Sequence, residues 1–271
     1  ETINMGEYFH QKSGRIYYTD QGQGVPVILL HGYLETSEIW LDFARNLASG
    51  FRVLTVDLPG HGKSDLFGDV HSMELMASII RGLLEDLGIN KAFMTGHSMG
   101  GYITMAFVDL FPKMLSGYCL FHSHPFSDSP ETVEKRKMEI RMVRTGIKNK
   151  FLPGNISKLF GAQNLHKLHD AVQSSIEIAS HVPDASIIAV LRGMMERPSR
   201  QKVMETGKVP CLWILGVMDN HINFKQIRGK VSLPANAEVL ILQNSGHMGF
   251  IEEEERSVKA ISDFVKKIRF P

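Results

Sequence analysis

Ser98 stands in the run Gly96-His97-Ser98-Met99-Gly100-Gly101. A serine hydroxyl is a poor nucleophile until a neighbouring base takes its proton. It must also project clear of the backbone, which a sharp turn from strand to helix achieves. Such a turn is crowded two positions before and after the serine, so those positions need residues nearly without side chains. Gly96, Gly100 and Gly101 meet that need. The helix opening behind the serine would aim free N–H groups and its positive dipole end at the reacting atoms. The chemistry expected is acyl transfer through a covalent intermediate on Ser98. The competing reading is an ordinary glycine-rich turn with a surface serine. The apolar run before the motif and the helical pattern after it count against that reading.

Twelve histidines compete for the role of base. His247 lies in Asn244-Ser245-Gly246-His247-Met248-Gly249, where flanking glycines suggest a loop brought close to other backbone. His31 reads as structural, His61 as bonded within its own loop, and His97 as pointing away from the Ser98 side chain. His122 and His124 stand where the middle of the chain begins and are candidate substrate-binding residues. The base needs a carboxylate that holds its tautomer and stabilises the imidazolium. Asp219, in Gly216-Val217-Met218-Asp219-Asn220, follows an apolar run and is the candidate. Asp128 is the rival, and Asp57 is less suited because its loop precedes the nucleophile strand. The developing oxyanion needs two N–H donors; the backbone of Tyr33, after His31-Gly32, and that of Met99 are expected to supply them.

The elements that must hold these residues alternate. Residues 8–18 read as a hairpin turning near Ser13-Gly14. Short apolar runs at 25–30, 52–56, 92–95, 114–122, 209–216 and 238–242 read as strands. Helical spacing occupies 38–48, 72–87 (capped by Ser72 and stopped by Gly88), 99–110, 222–231 and 250–268. The acidic run 252–255 is expected to be the solvated N-terminus of that last helix. Residues 125–207 differ: helical, rich in Lys, Arg and Met, without a convincing strand. The fold class expected is α/β, a mostly parallel central sheet flanked by helices, with a helical insertion. The core would comprise 1–124 and 208–271, and 125–207 would form a helical cap. A cap leaving the C-terminal end of a strand roofs the place where ligands bind in open α/β sheets.

Composition agrees with a globular chain. It has 271 residues, 43% hydrophobic and 22% charged, with 30 basic against 29 acidic residues and a formal net charge of +1. That balance supplies no field to recruit nucleic acid or an anionic membrane. A small-molecule substrate is the expected partner, and the oligomeric state is left open. No apolar stretch approaches the roughly 18 residues of a membrane span, and the first residues lack a basic-then-apolar leader, so a cytoplasmic chain is the default expectation. Cys119 and Cys211 sit in apolar runs without metal or redox spacing and read as buried thiols.

These residues together resemble the α/β-hydrolase superfamily, in its esterase, C–C hydrolase and lactonase-like branch. The resemblance rests on His31-Gly32, on the loop Asp57-Leu58-Pro59-Gly60-His61-Gly62-Lys63-Ser64, on Gly96 to Gly101, on Asp219, and on Gly246-His247. It implies a triad in the order Ser98, Asp219, His247, oxyanion donors at Tyr33 and Met99, and no metal or organic cofactor. Many relatives carry a proline soon after the acid, whereas this chain reads Asp219-Asn220-His221-Ile222-Asn223. A serine, not an aspartate, at position 98 argues against the dehalogenase and epoxide hydrolase branches. The reading is a serine esterase acting on a small or medium-sized substrate. The alternatives are a C–C hydrolase or menaquinone-pathway-type lyase acting on an acidic metabolite, and a non-catalytic receptor on the same fold. Tyr102, where relatives of that lyase often have Arg, counts against the lyase. In the expected cap, Met138, Met142, Met194, Met195 and Met204 would pack helices or line an apolar pocket. Arg141, Arg144, Arg192, Arg197 and Arg200 would be solvated or hold a carboxylate.

Overall fold

The computed structural model describes residues 6–268. The first five residues, where the leader was sought, lie outside them. Strands β1 (Glu7–Gln11) and β2 (Gly14–Gln21) form the expected hairpin, and β3 (Pro26–Leu30) follows. Next come α1 (Leu41–Ala48), β4 (Arg52–Val56), α2 (Met73–Asp86), β5 (Ala92–His97), α3 (Met99–Leu110) and β6 (Leu115–Phe121). Five helices then run without a described strand: α4 (Pro130–Arg144), α5 (Lys148–Ser157), α6 (His169–His181), α7 (Asp184–Glu196) and α8 (Gln201–Glu205). The chain closes with β7 (Cys211–Gly216), α9 (Phe224–Arg228), β8 (Ala237–Leu242), α10 (Gly249–Glu252) and α11 (Glu254–Lys267).

The described strands form one sheet in the order β1-β2-β4-β3-β5-β6-β7-β8. β1, β2 and β4 pair antiparallel; every other pair is parallel. The central strands are apolar along their whole length because both faces are covered: β5, β6 and β7 are buried at every position. α2 and α3 pack on one face, α1 and α11 on the other, giving two apolar clusters separated by the sheet. After β3 the chain moves to β4 on one side and then to β5 on the other. The order therefore reverses at β3, and the crevice at the strand ends there is where such sheets bind ligands. Leu30 pairs with Gly96, so the loops leaving β3 and β5 start side by side.

Local signals explain the helices nearest the site. Ser72 Oγ accepts the Leu75 N–H at 3.1 Å and caps α2. α2 ends at Gly88, whose φ of +66° is left-handed. α3 stops before Pro112. The helical stretch between β6 and β7 is tied down to the core. Gly193 of α7 approaches the backbone of His71 so closely that a Cβ there would overlap its carbonyl. The buried Arg200 guanidinium reaches Glu74 on α2 and Asp109 on α3.

One expectation is corrected. The closing helix is two helices, broken at Glu253 (φ −133°, ψ 55°). Glu254 and Glu255 stand in the first turn of α11, as expected of a helix N-terminus, but Glu252 and Glu253 are not solvated helix-end residues, because both bond to other loops. Glu253 Oε2 accepts from Asn244 N at 2.9 Å and Ser245 Oγ at 2.7 Å. Glu252 Oε1 accepts from Gly161 N at 2.6 Å and Asn164 Nδ2 at 2.8 Å. The two carboxylates thus hold the loop that carries His247 and the turn after α5.

Candidate active site

Ser98 sits between β5 and α3 with φ 49° and ψ −113°, a left-handed conformation that a side chain rarely tolerates. The surroundings impose it. A Cβ on Gly96 would overlap the Gly100 carbonyl, one on Gly100 the Leu30 carbonyl, and one on Gly101 the Ser123 side chain. Ser98 N donates to Phe121 O at 3.0 Å, and Ser98 O accepts from Ser123 Oγ at 2.7 Å. Its hydroxyl is therefore carried at the turn's outer edge, on the wall of a cavity of about 880 Å³.

His247 lines the same cavity. Its Nδ1 lies 2.7 Å from Asp219 Oδ2, and its Nε2 has no protein partner among the described residues. Asp219 Oδ1 accepts from His221 N at 2.8 Å and Ile222 N at 2.9 Å. This side chain-to-backbone turn holds the loop that lacks the relatives' proline. Burial pushes the His247 imidazole below its ordinary range, and the pull of Asp219 only partly offsets it. Burial alone would raise Asp219, but His247 and His122 beside it hold its carboxyl well below the usual carboxylate range.

The loop after β3 is oriented by His31. Its Nε2 accepts the Leu58 N–H at 2.9 Å, so Nδ1 carries the proton and donates to Gly32 O at 2.8 Å. In a trans peptide the N–H points opposite to the carbonyl. Holding Gly32 O thus turns the Tyr33 N–H the other way. Neither Tyr33 N nor Met99 N, the first residue of α3, has a hydrogen-bond partner among the described residues.

The remaining titratable candidates fall elsewhere. His122 does not line the cavity: it is fully buried behind the acid, with Nδ1 3.3 Å from Asp219 Oδ2 in a geometry too poor for a hydrogen bond. Its φ of +45° and the close backbone of Gly216 and Gly249 turn its ring inward. His124 does line the cavity, with Nδ1 accepting the Phe126 N–H at 3.2 Å. The rival acid Asp128 is engaged by Arg136 at 2.6 Å and Arg197 at 2.7 Å. Asp57 accepts from Ser37 N and Lys63 N within its own loop neighbourhood. The donor atoms of His122, Asp219 and His247 lie within 4.8 Å of one another, near enough to hold a metal ion. A cation there would displace the 2.7 Å bond between Asp219 and His247.

Residues 25–254 match the family described as alpha/beta hydrolase fold. The chain belongs to this family. Over 105 residues it is 39% identical to the 2-hydroxy-6-oxononadienedioate/2-hydroxy-6-oxononatrienedioate hydrolase of Paraburkholderia phymatum, a match covering 36% of each chain. A solved structure of a thermophilic esterase from Thermogutta terrifontis, with malate bound, superposes with a TM-score of 0.90 at 25% identity. That superposition covers 98% of this chain and 100% of the esterase. The enol-lactonase from Burkholderia xenovorans shares the fold, with a TM-score of 0.85 at 19% identity over 96% of this chain and 100% of that one.

In this α/β hydrolase the helices between β6 and β7 form part of the cavity wall: Thr132, Arg136 and Glu139 come from α4, Ile156 from α5 and Met194 from α7. The Tyr33 hydroxyl donates to Glu139 Oε1 at 2.8 Å, joining the β3 loop to α4. Of the arginines read from sequence, Arg192 donates to Asp69 O, Arg197 pairs with Asp128, and Arg200 pairs with Glu74 and Asp109. None of the five lines the cavity, whereas Lys135, Arg136 and Lys230 do. The sequence alone does not mark Arg136, because the helix that carries it, PETVEKRKMEIRMVR, is charged on nearly every face. Of the five methionines read from the sequence, Met194 lines the cavity, whereas Met138 and Met142 border a separate open groove on α4. His221, two residues after the acid, also lines the cavity, with its ring 5.3 Å from that of His247.

Proposed function

We propose that this α/β-fold hydrolase cleaves a carboxylic ester or related acyl bond of a small or medium-sized substrate through an acyl-enzyme on Ser98. The observation that carries the reading is the bond of His247 Nδ1 to Asp219, with Nε2 unpartnered among the described residues and both His247 and Ser98 lining one cavity. His247 Nε2 takes the Ser98 proton as Oγ attacks the carbonyl carbon. The tetrahedral oxyanion lies between the N–H groups of Tyr33 and Met99. His247 then gives the proton to the departing alkoxide; afterwards it takes a proton from water as the water attacks the acyl-enzyme, and returns it to Ser98 Oγ as the C–Oγ bond breaks and the acid leaves. Residues 125–207 act as a cap that encloses the substrate. Hydrolysis of p-nitrophenyl esters from acetate to dodecanoate, wild type beside Ser98→Ala, tests this. Activity lost in the variant supports it, and activity retained there refutes it.

A second reading is favoured by Lys135, Arg136 and Lys230 in the cavity wall. Arg136 spends Nε and Nη2 on Asp128 and has no hydrogen-bond partner for Nη1 among the described residues. Such donors suit a substrate carboxylate. The Paraburkholderia phymatum relative is named for a dioate and the Thermogutta esterase holds malate. On this reading the same triad hydrolyses a C–C bond next to a carbonyl in an acidic metabolite. Comparing a carboxylate-bearing ester with its neutral methyl-capped counterpart decides it: a KM advantage for the acid that Arg136→Ala removes supports the acidic substrate.

A further inference from the structure

Glu35 is buried in the loop after the Tyr33 donor, and His97 is buried just before the nucleophile. A single carboxylate oxygen, Glu35 Oε2, accepts the Gly32 N–H at 2.5 Å and lies 2.9 Å from His97 Nδ1. The other His97 nitrogen, Nε2, lies 2.9 Å from the carbonyl oxygen of His247. A carbonyl only accepts, so Nε2 carries a proton. An ionised Glu35 only accepts, so Nδ1 facing its Oε2 donates as well. His97 is then an imidazolium facing a carboxylate, flanked by the edge of Phe250 at 4.9 Å and by Trp40 at 6.4 Å. Burial opposes both charges, yet each partner holds the other charged: His97 stays above its ordinary range and Glu35 below its own. Desolvation makes a buried ion pair a poor source of stability, and packed apolar side chains serve as well or better. Its value must lie in the geometry it holds.

We propose that Glu35 and His97 are positioning residues of the reaction, a buried charged bridge that ties the oxyanion loop at Gly32 to the backbone of the base at His247. The inference rests on the reading of Ser98 and His247 as nucleophile and base. The bridge runs from Gly32 N through Glu35 and His97 to His247 O. His97 is covalently joined to Ser98. Nucleophile, base and Tyr33 donor are thereby held in register by one chain of three hydrogen bonds. Loss of about 1 Å of register costs on the order of 100-fold in rate.

Glu35→Gln keeps the side chain's shape and an oxygen that can accept from Gly32 N, but it removes the negative charge that holds His97 Nδ1 protonated. The rate of Ser98 phosphonylation by a fluorophosphonate and kcat on a p-nitrophenyl ester should each fall by about 10- to 100-fold, with KM little changed. The double variant Glu35→Gln/His97→Gln should lose no more than the worse single one, since both break the same link. A folded Glu35→Gln protein with wild-type kcat and phosphonylation overturns the proposal, as do losses that multiply in the double variant. Should the variants not fold, nitrogen NMR of the wild type at pH 7.5 decides: both His97 ring nitrogens protonated is the expected result, and an unprotonated ring nitrogen overturns it. Wild-type protein that is not labelled at Ser98 fails the reading beneath; normal labelling that Glu35→Gln leaves unslowed fails this inference alone.

Discussion

Asp219 Oδ2 faces His247 Nδ1 at 2.7 Å while its Oδ1 is taken by two backbone N–H groups of its own loop. The carboxylate cannot rotate without breaking three bonds. It therefore sets the proton on Nδ1 of His247 and leaves Nε2 for the role of base in the proposed mechanism. The buried ring of His122, 3.3 Å from the same Oδ2, closes the space behind it.

Asp219→Asn retains the shape and the loop bonds but no longer stabilises the imidazolium or the required tautomer. The expected result is a loss in kcat on the order of 10⁴-fold with little change in KM. Steady-state kinetics on an activated ester check this. A loss of tenfold or less would move the acid's role to another residue.

The proposed base, His247, can take a proton only when neutral, and burial places its ionisation below the ordinary histidine value of 6.5. The pH profile of kcat/KM should therefore rise with pH through a midpoint below about 6.5 and stay level to pH 8. A midpoint above 7 would contradict the buried environment seen for the ring.

Much of this site is legible in the residues themselves, because a strand-to-helix turn around a serine demands glycine at particular positions. Gly96 and Gly100 satisfy close backbone approaches, and Gly101 a close approach of the Ser123 side chain, that a Cβ would obstruct. The alternation of apolar runs with helical spacing likewise reads through to a parallel sheet. What is not legible depends on side-chain direction at long separation. His122 reads as a pocket residue from its place at the end of β6, yet its left-handed backbone turns it inward. Glu35 and His97 lie 62 positions apart and meet only because β3 and β5 pair. The break at Glu253 comes from partners in the preceding loop, which helical periodicity does not register.

Stability should fall with acid through other histidines. Burial lowers His31 to about 4, His61 to about 3 and His124 to about 3. A base with a folded value below its unfolded one favours the folded state above about pH 6.5, and that contribution is lost as pH falls toward 4. Each contributes on the order of 2 kcal/mol to the difference between pH 7 and pH 5. Urea melts at the two pH values should show a much lower midpoint at pH 5. Equal midpoints would mean these rings are not held neutral.

Arg200 ties the helices between β6 and β7 to α2 and α3 through Glu74 and Asp109. Both carboxylates are partly solvated, so they tolerate its loss better than a buried partner would. Arg200→Ala should lower stability by about 1–2 kcal/mol, through lost packing as much as lost charge. A urea midpoint within error of wild type would show that the tie is not needed.

The most direct test of the account is the intact mass of the protein after treatment with a fluorophosphonate, wild type beside Ser98→Ala. The account predicts one phosphonyl adduct on the wild type, mapped to Ser98 by peptide mass, and none on the variant. An unlabelled wild type, or equal labelling of the variant, would contradict it.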